Sequence, residues 1–482
     1  MRIKAKEYKD AGNHLSALEL FQKLLLHDIR DSGEGNSFVV SDYINISNLY
    51  ELLQNYEKAL DYMKEVFELL KQGYGEQHPS TAIVMSDLGR LYSKLGQSEI
   101  GLNYCSNAVT ILKAKLGEEH PEVLVTLNDI GDIYYRTKKY PEAIEVYNSL
   151  IALYRKKGGE NQRSVAVTLN KLGAVYHELE DFAEAIKCFE KGLEILKGVY
   201  KNKPHPEIAI IVEDLAAAYE SDGNKEKALQ CYQEALEINS SFAHERPLPK
   251  LNSINKLGRT YSRIGDNDKA IEYFEQALEY AKQVFGADDS KISLQYILLG
   301  MLYEKKEMYD QSIEFFEKAL AIEMKTNGGE TKSGAETLSQ RGRVLAAKGE
   351  IEKGLEDCQR ALMIIKMIKA EDSSEGGKIH HDIGKCYMKS QKWAEARNEL
   401  EQGYRTLKNI YGEHELFVGY MGKDLAETEY ALGNYERAYE LLQEAIKVFR
   451  LYLGKTHKTA RDACDLAVKW GKPEFIDDYF KI

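Results

Sequence analysis

Proline is scarce in this chain, eight among 482 residues, and cysteine scarcer, six with no CxxC pair. The missing CxxC and the wide cysteine spacing exclude a disulfide framework and the usual paired-thiolate zinc motifs, and fit a reducing, cytoplasmic setting. No apolar run approaches the roughly 20 residues that span a bilayer. Residues 1–30 hold neither the apolar core nor the small-residue cleavage site of a secretory signal. Net positive charge is also missing. With 29% charged residues and a formal balance of -12, the chain does not suit a phosphate-binding surface, so nucleic acid is not an expected partner. No GxSxG, no phosphate-binding loop and no separate catalytic domain can be read, so an enzyme is not expected, nor a cofactor or metal.

The prolines that are present recur. "YGEQHPSTA", "LGEEHPEVL" and "KNKPHPEIA" place Pro79, Pro121 and Pro206 at separations of 42 and 85 residues. Small residues keep the same beat: Ala17, Ala59, Gly101, Ala143, Ala185, Ala228, Ala270, Ser312, Gly354, Ala396 and Ala438. Nine of these ten steps are 42 residues, and the step from Ala185 to Ala228 is 43. Twelve positions before each lies a second small residue, usually glycine, as at Gly89, Gly131, Gly173, Gly258, Gly300, Gly342 and Gly384. Nine before it stands tyrosine in nine of eleven cases, and four after it a large apolar residue such as Phe21, Tyr147, Phe189, Phe274 or Phe316. A fixed period of this length marks a repeat array.

Each unit reads as two helices. Val123, Leu127, Ile130 and Tyr134 fall on one face of a first helix, and Tyr140, Ala143, Ile144, Tyr147 and Leu150 on one face of a second. Gly131 and Ala143 let the two approach closely, leaving Tyr134 and Tyr147 to fill the wedge between hairpins. Gly117 suits the end of one helix and Pro121 the first turn of the next. The His-Pro stretch is therefore punctuation, and His78, His120 and His205 are not expected to bind metal.

These residues resemble the tetratricopeptide repeat. The 42-residue unit with its "LGEEHPEVLVTLNDIGDIYY" phrasing is similar to the repeats of kinesin light chains, from Ala5 to about Thr459. The heptad-rich segment that precedes those repeats in kinesin light chains is not found. The resemblance implies an all-α, right-handed superhelical solenoid of about eleven antiparallel helix pairs. The array is expected over 1–456, with a partial first repeat and a weaker joint near 334–376, where Leu345, Gly354 and Cys358 replace larger residues. A capping helix and tail are expected over 457–482. Loops are expected at 27–42, 240–250 and 369–378.

The resemblance also implies that first helices line a concave groove that holds extended peptides. Asn128, Asn170 and Asn255 stand three residues before the first-helix glycine, where an amide can grip a peptide backbone at donor and acceptor. One and five residues after that glycine the register turns basic: Arg90, Lys94, Arg136, Arg259, Arg263, Lys305, Arg343, Lys385 and Lys389. Asp132, Glu178, Glu220 and Glu304 interrupt this strip, which is cleaner from Arg259 to Lys389. Such a face would attract an acidic segment, whereas ordinary helix-surface ion pairing would consume the same charges. His380 and His381 read as solvent-exposed. The expected role is a non-catalytic adaptor that binds a partner's acidic peptide. The alternatives are a structural subunit of a large cytoskeletal or ciliary assembly, held by its outer faces and ends, and an array that regulates a separate protein.

Overall fold

The structure, a computed structural model, describes residues 1–33, 36–159, 162–286, 288–413, 415–452, 458–472 and 475. Among them every regular element is a helix. Two compact units divide the chain, Met1–Arg246 and Pro247–Ile482, between the two halves of the proline-containing segment 240–250.

The first unit holds six helix pairs: α1 (Arg2–Asp10) with α2 (His14–Ser32), α3 (Ser37–Leu52) with α4 (Tyr56–Tyr74), and α5 (Pro79–Lys94) with α6 (Ser98–Leu116). Then come α7 (Pro121–Arg136) with α8 (Tyr140–Gly158), α9 (Arg163–Glu178) with α10 (Phe182–Val199), and α11 (Pro206–Ser221) with α12 (Lys225–Ser241). The second unit holds five: α13 (Pro247–Ile264) with α14 (Asn267–Phe285), α15 (Ser290–Lys305) with α16 (Tyr309–Asn327), and α17 (Lys332–Lys348) with α18 (Ile351–Met367). They are followed by α19 (Ser374–Lys389) with α20 (Trp393–Tyr411) and α21 (Leu416–Ala431) with α22 (Tyr435–Tyr452), after which α23 (Lys458–Lys469) stands alone. It lays Ala460, Ala463, Ala467 and Trp470 into the last apolar cluster, where Trp470 stacks on Tyr430 at 4.2 Å.

Caps set the boundaries. The Nδ1 atoms of His78, His120 and His205 accept hydrogen bonds from the backbone N–H of Ser80, Glu122 and Glu207 at 3.1, 3.3 and 3.2 Å. Asn36, Asp289 and Glu415 do the same in their units, so the histidines satisfy orphan amide groups at a helix start. The imidazoles of His78 and His205 also stack on Tyr74 and Tyr200. The 43-residue step falls in this punctuation. Where other second helices end on one glycine of positive φ, such as Gly117, here Lys201 and Asn202 both turn left-handed, and the extra residue is absorbed before Pro206. All three expected loops are shorter than their composition suggested, that at 240–250 being reduced to 242–246 because Pro247 opens α13. Between α2 and α3 only 33–36 remain, because Ile29 and Val39 carry the helical core pattern through the polar stretch. In 369–378, Gly376 and Gly377 are buried in the first turn of α19, where Leu407 occupies the space a side chain on Gly377 would need.

The pairs are locked by one repeated contact. A Cβ on Gly131 would lie 2.6 Å from the Tyr147 ring, and one on Gly173 2.6 Å from that of Phe189. Gly258 and Gly300 face Phe274 and Phe316 in the same way. Where the filler is small, at Cys105 and Cys358, both helices carry glycine, Gly89 against Gly101 and Gly342 against Gly354, and the backbones close the gap themselves. A second recurring contact stacks the conserved-register tyrosine on an aromatic of its partner helix: Tyr50 on Tyr62, Tyr92 on Tyr104, Tyr261 on Tyr273 and Tyr303 on Phe315, at 5.3 to 5.6 Å. Cys105, Cys188, Cys358, Cys386 and Cys464 are buried, and Cys231 half-buried.

Gly131→Ala is expected to lower stability by about 1–3 kcal/mol through overpacking, whereas Gly198→Ala, with open space around its Cβ, should be neutral or slightly stabilising; thermal unfolding followed by circular dichroism reads both. His120→Ala should cost about 1 kcal/mol and His120→Asn much less, since asparagine keeps an acceptor at the cap.

Candidate functional site

First helices of successive pairs adjoin, α5 with α7, α9 with α11, α17 with α19 and α19 with α21, and polar side chains clasp one to the next. The residue three before a first-helix glycine meets the residue two before the following one. Ser86 donates to Asp129 at 3.5 Å, Lys171 to the Asn128 carbonyl at 2.8 Å, and Asn170 to Asp214 at 2.9 Å. In the second unit Ser339 donates to Asp382 at 2.8 Å, and His381 Nε2 lies 2.8 Å from Asp424. Asn128 and Asn170 are therefore engaged within the array, although the Asn170 carbonyl oxygen is buried without a partner. Asn255 is only 8% exposed, and its carbonyl oxygen is likewise unpartnered.

The basic register divides. Arg90 is held by Glu51 and Asp87. Arg343 bridges Glu304 at 2.6 Å and Asp382 at 2.9 Å, and Lys385 stands 3.8 Å from Asp424. Lys94, Arg136, Arg259 and Lys389 are exposed. His380 and His381 are not exposed as the sequence suggested. They are 2% and 6% accessible, with His380 Nδ1 2.6 Å from Glu399. Gly377 and Gly384 let Leu407 and Leu400 of α20 close onto α19, and α21 packs beside it. Despite burial, which works the other way, Lys385, His381 and Lys423 hold the Asp424 carboxyl well below the usual carboxylate range.

Three first helices of the second unit, α13, α15 and α17, enclose a groove of about 440 Å³. Leu294, Ile297, Leu298 and Met301 form its apolar floor, with Leu294 41% and Met301 36% exposed. Arg259, Arg263 and Lys305 line one wall, and Ser333, Glu336 and Gln340 the other. Lys305 donates to Ser262 at 2.9 Å, and partial burial on the wall together with the charge of Arg263 lowers its ammonium pKa. The Oε1 of Gln340 is buried and unpartnered. The three cations were legible from the register. The floor was not singled out, though Met301 is apolar at a position where Arg90, Asp132, Arg259, Arg343 and Lys385 carry charge. A larger polar cavity of about 840 Å³ lies along α20, with Arg397, Arg405, Glu401, Glu429 and Arg437 in its lining; Arg405 is paired with Glu401 and Arg437 with Glu440. Among the described residues no three His, Cys, Asp or Glu side chains converge as metal ligands, and no helix is long and apolar enough to cross a membrane.

One carboxyl on the first-helix face is poorly compensated. Burial, opposed by Arg90 and reinforced by Asp132 and Asp87, pushes Asp129 up to about 7. Its folded-state pKa lies above the ordinary value, so the folded form binds the extra proton between about pH 4 and 7 and loses that stabilisation as pH rises through the window. Asp129→Asn is expected to melt higher than wild type at pH 8, with the difference closing by pH 5.

The sequence pattern of the tetratricopeptide repeat matches residues 40–100, 94–156, 164–241 and 250–324, and a second pattern of that description matches 424–457. No curated protein matches the chain. Among solved structures it is similar to BtubC (BKLC) from P. vanneervenii, with 22% identity over 48% of this chain and 90% of that one and a TM-score of 0.40. It is similar to a putative kinesin light chain with nearly identical repeats from Podosopora anserina, with 24% identity over 43% and 98% of the two chains and a TM-score of 0.38. A Rap protein complexed with competence and sporulation factor is 15% identical over 88% and 99%, with a TM-score of 0.47. These likenesses concern the fold alone. With repeat matches over more than half of its length, eleven helix pairs and a glycine-to-filler contact in each regular unit, the chain belongs to the tetratricopeptide repeat family.

Proposed function

We propose that this chain is a non-catalytic, cytoplasmic protein-interaction array whose second unit holds a partner segment carrying acidic and aliphatic side chains. The observation that carries the reading is the groove between α13, α15 and α17, where an accessible apolar floor lies beneath Arg259, Arg263 and Lys305. Aliphatic side chains of the partner would bury against Leu294 and Met301, each contributing on the order of 1 kcal/mol or more. Carboxylates would meet the cationic wall, raising the association rate at low salt. The buried Gln340 oxygen offers an acceptor to a backbone N–H of the guest. Arg343 and Lys385, committed to carboxylates of neighbouring first helices, act as clasps in this reading. Lys389 extends the cationic register beyond the groove.

A fluorescently labelled peptide alternating Leu and Glu is expected to bind the full chain with a dissociation constant that rises with ionic strength. Arg259→Glu combined with Arg263→Glu should weaken it at least tenfold, about 1.4 kcal/mol, while Asn128→Ala leaves it within twofold. Unchanged affinity in the double variant, with helicity retained by circular dichroism, would sink the assignment.

A further inference from the structure

The first unit presents a face of a different kind. Six residues before the first-helix glycine position stand Ile83, Val125, Val167 and Ile210, one on each of α5, α7, α9 and α11. Val125 is 52% exposed and Ile210 50%, and Val167 is half-buried. Exposed β-branched residues returning at one register position make a row rather than scattered surface apolars. On α9 and α11 the position one after the glycine site is alanine, Ala174 and Ala217, where the groove of the second unit has Arg259 and Met301. Arg163 and Lys171 flank Val167 four residues to either side, each tied to a neighbouring first helix, Arg163 to Glu207 and Lys171 to Asp132.

The charge around it is negative. Asp132, Glu178, Glu207, Glu213 and Asp214 lie on α7, α9 and α11; the cations among them are Arg136, Arg163 and Lys171, of which Arg163 is tied to Glu207, and Lys171 to Asp132 at 2.7 Å and to Asn128. Burial, opposed by Arg90 and Lys171 and reinforced by Asp132 and Asp87, keeps the proton on Asp129 beneath it to about pH 7. This surface would repel the acidic guest proposed for the second unit.

We infer that the first-helix face from α7 to α11 is a separate docking surface for a cationic amphipathic helix of a protein partner. The spacing favours a helix over a strand. Packed helices lie about 8–10 Å apart, so the row repeats at roughly that interval. In a partner helix, residues seven apart lie about 10.5 Å apart on one face, whereas same-face residues of a strand recur every ~6.6 Å. An occupant with aliphatic residues at i, i+7 and i+14 would set them on Val125, Val167 and Ile210, with Lys or Arg on its flanks over Asp132, Glu178 and Asp214. This stands apart from the groove of the second unit, which needs neither the aliphatic row nor the acidic rim.

The test uses the full chain and three labelled 18-residue probes in fluorescence anisotropy. One carries Leu at i, i+7 and i+14 among Lys, the second replaces those Leu by Ser, and the third replaces Lys by Glu. On the full chain carrying Arg259→Glu with Arg263→Glu, which removes the second unit's cationic wall, the Leu/Lys probe should bind at least tenfold tighter than either of the others. It should lose at least tenfold with Val125→Lys combined with Ile210→Lys, both exposed positions, and stay within twofold with Arg259→Glu combined with Arg263→Glu. Val125→Ser with Ile210→Ser, which adds no charge, should weaken it by at least threefold. Equal binding of the Ser/Lys probe would mean attraction to net negative charge alone and would overturn the proposal. So would unchanged affinity in both Val125/Ile210 variants. A failure here leaves the Leu/Glu peptide result in the second unit untouched, and the reverse holds as well.

Discussion

The array depends on a missing Cβ. At Gly131, Gly173, Gly258 and Gly300 a first-helix glycine stands against an aromatic filler on the second helix, and one added carbon would fall 2.6 to 3.0 Å from the ring. Interiors this dense do not relax around an extra methyl group. The contact therefore sets how near the two helices stand, and hence where each first helix presents its outer residues. The two ways of meeting the constraint are instructive. Phe189 meets one glycine, Gly173, while the small fillers Cys105 and Cys358 come with a second glycine on the facing helix. Filler and small residue change together because the gap between backbones is the quantity that matters.

Stacking of successive pairs rests on a different and weaker chemistry. The clasps from Ser86 to Asp129, Asn170 to Asp214 and Ser339 to Asp382 are hydrogen bonds between half-buried polar groups, each worth on the order of 1 kcal/mol net. They use the register at which the sequence led us to expect peptide contacts. A side chain bonded to the neighbouring helix is not idle, but it offers a guest only its remaining valences. Arg343, pinned between Glu304 and Asp382, would have to break paired charges to greet a ligand, and leaving buried carboxylates unpaired is costly. Arg259, exposed beside an apolar floor, has no such debt. That difference, invisible in the residue type, separates structural from available cations.

Much of this architecture was legible in the residues. The period, the two-helix unit, the glycine ladder and the lone final helix all follow from spacing, because spacing is what packing selects. Boundaries were less legible where composition and periodicity disagreed. Segment 27–42 is rich in Gly, Ser and Asp, yet Ile29 and Val39 bury and carry helix nearly to its middle. His380 and His381 read as surface residues because two adjacent polar side chains rarely both find partners inside. Here they do, in opposite directions, Glu399 on α20 and Asp424 on α21. Pairing across 43 residues cannot be read from one helix alone. The histidines before proline were legible as punctuation, but their role as cap acceptors needed the Nδ1 geometry.

A solenoid separates two kinds of position, and that separation explains how one fold carries two unlike faces. Glycine site, filler and tyrosine are bound by the packing described above. The positions six before and one or five after the glycine site touch no such constraint, so they are free to differ. In the first unit they read Val125, Asp132 and Ile210, Ala217; in the second they read Leu294, Met301 and Arg259, Arg263. Apolar residues run through the six-before position of the first unit from Ile83 to Ile210, whereas in the second Leu294 stands there between Asn252 and Glu336 and the apolar floor is completed by Ile297, Leu298 and Met301. The sign of charge beside the strip is what changes. Affinity from such strips would be similar in origin on either face, since burial of aliphatic surface is indifferent to sequence. Choice of partner then falls to the rim, where like charges exclude as firmly as unlike charges attract.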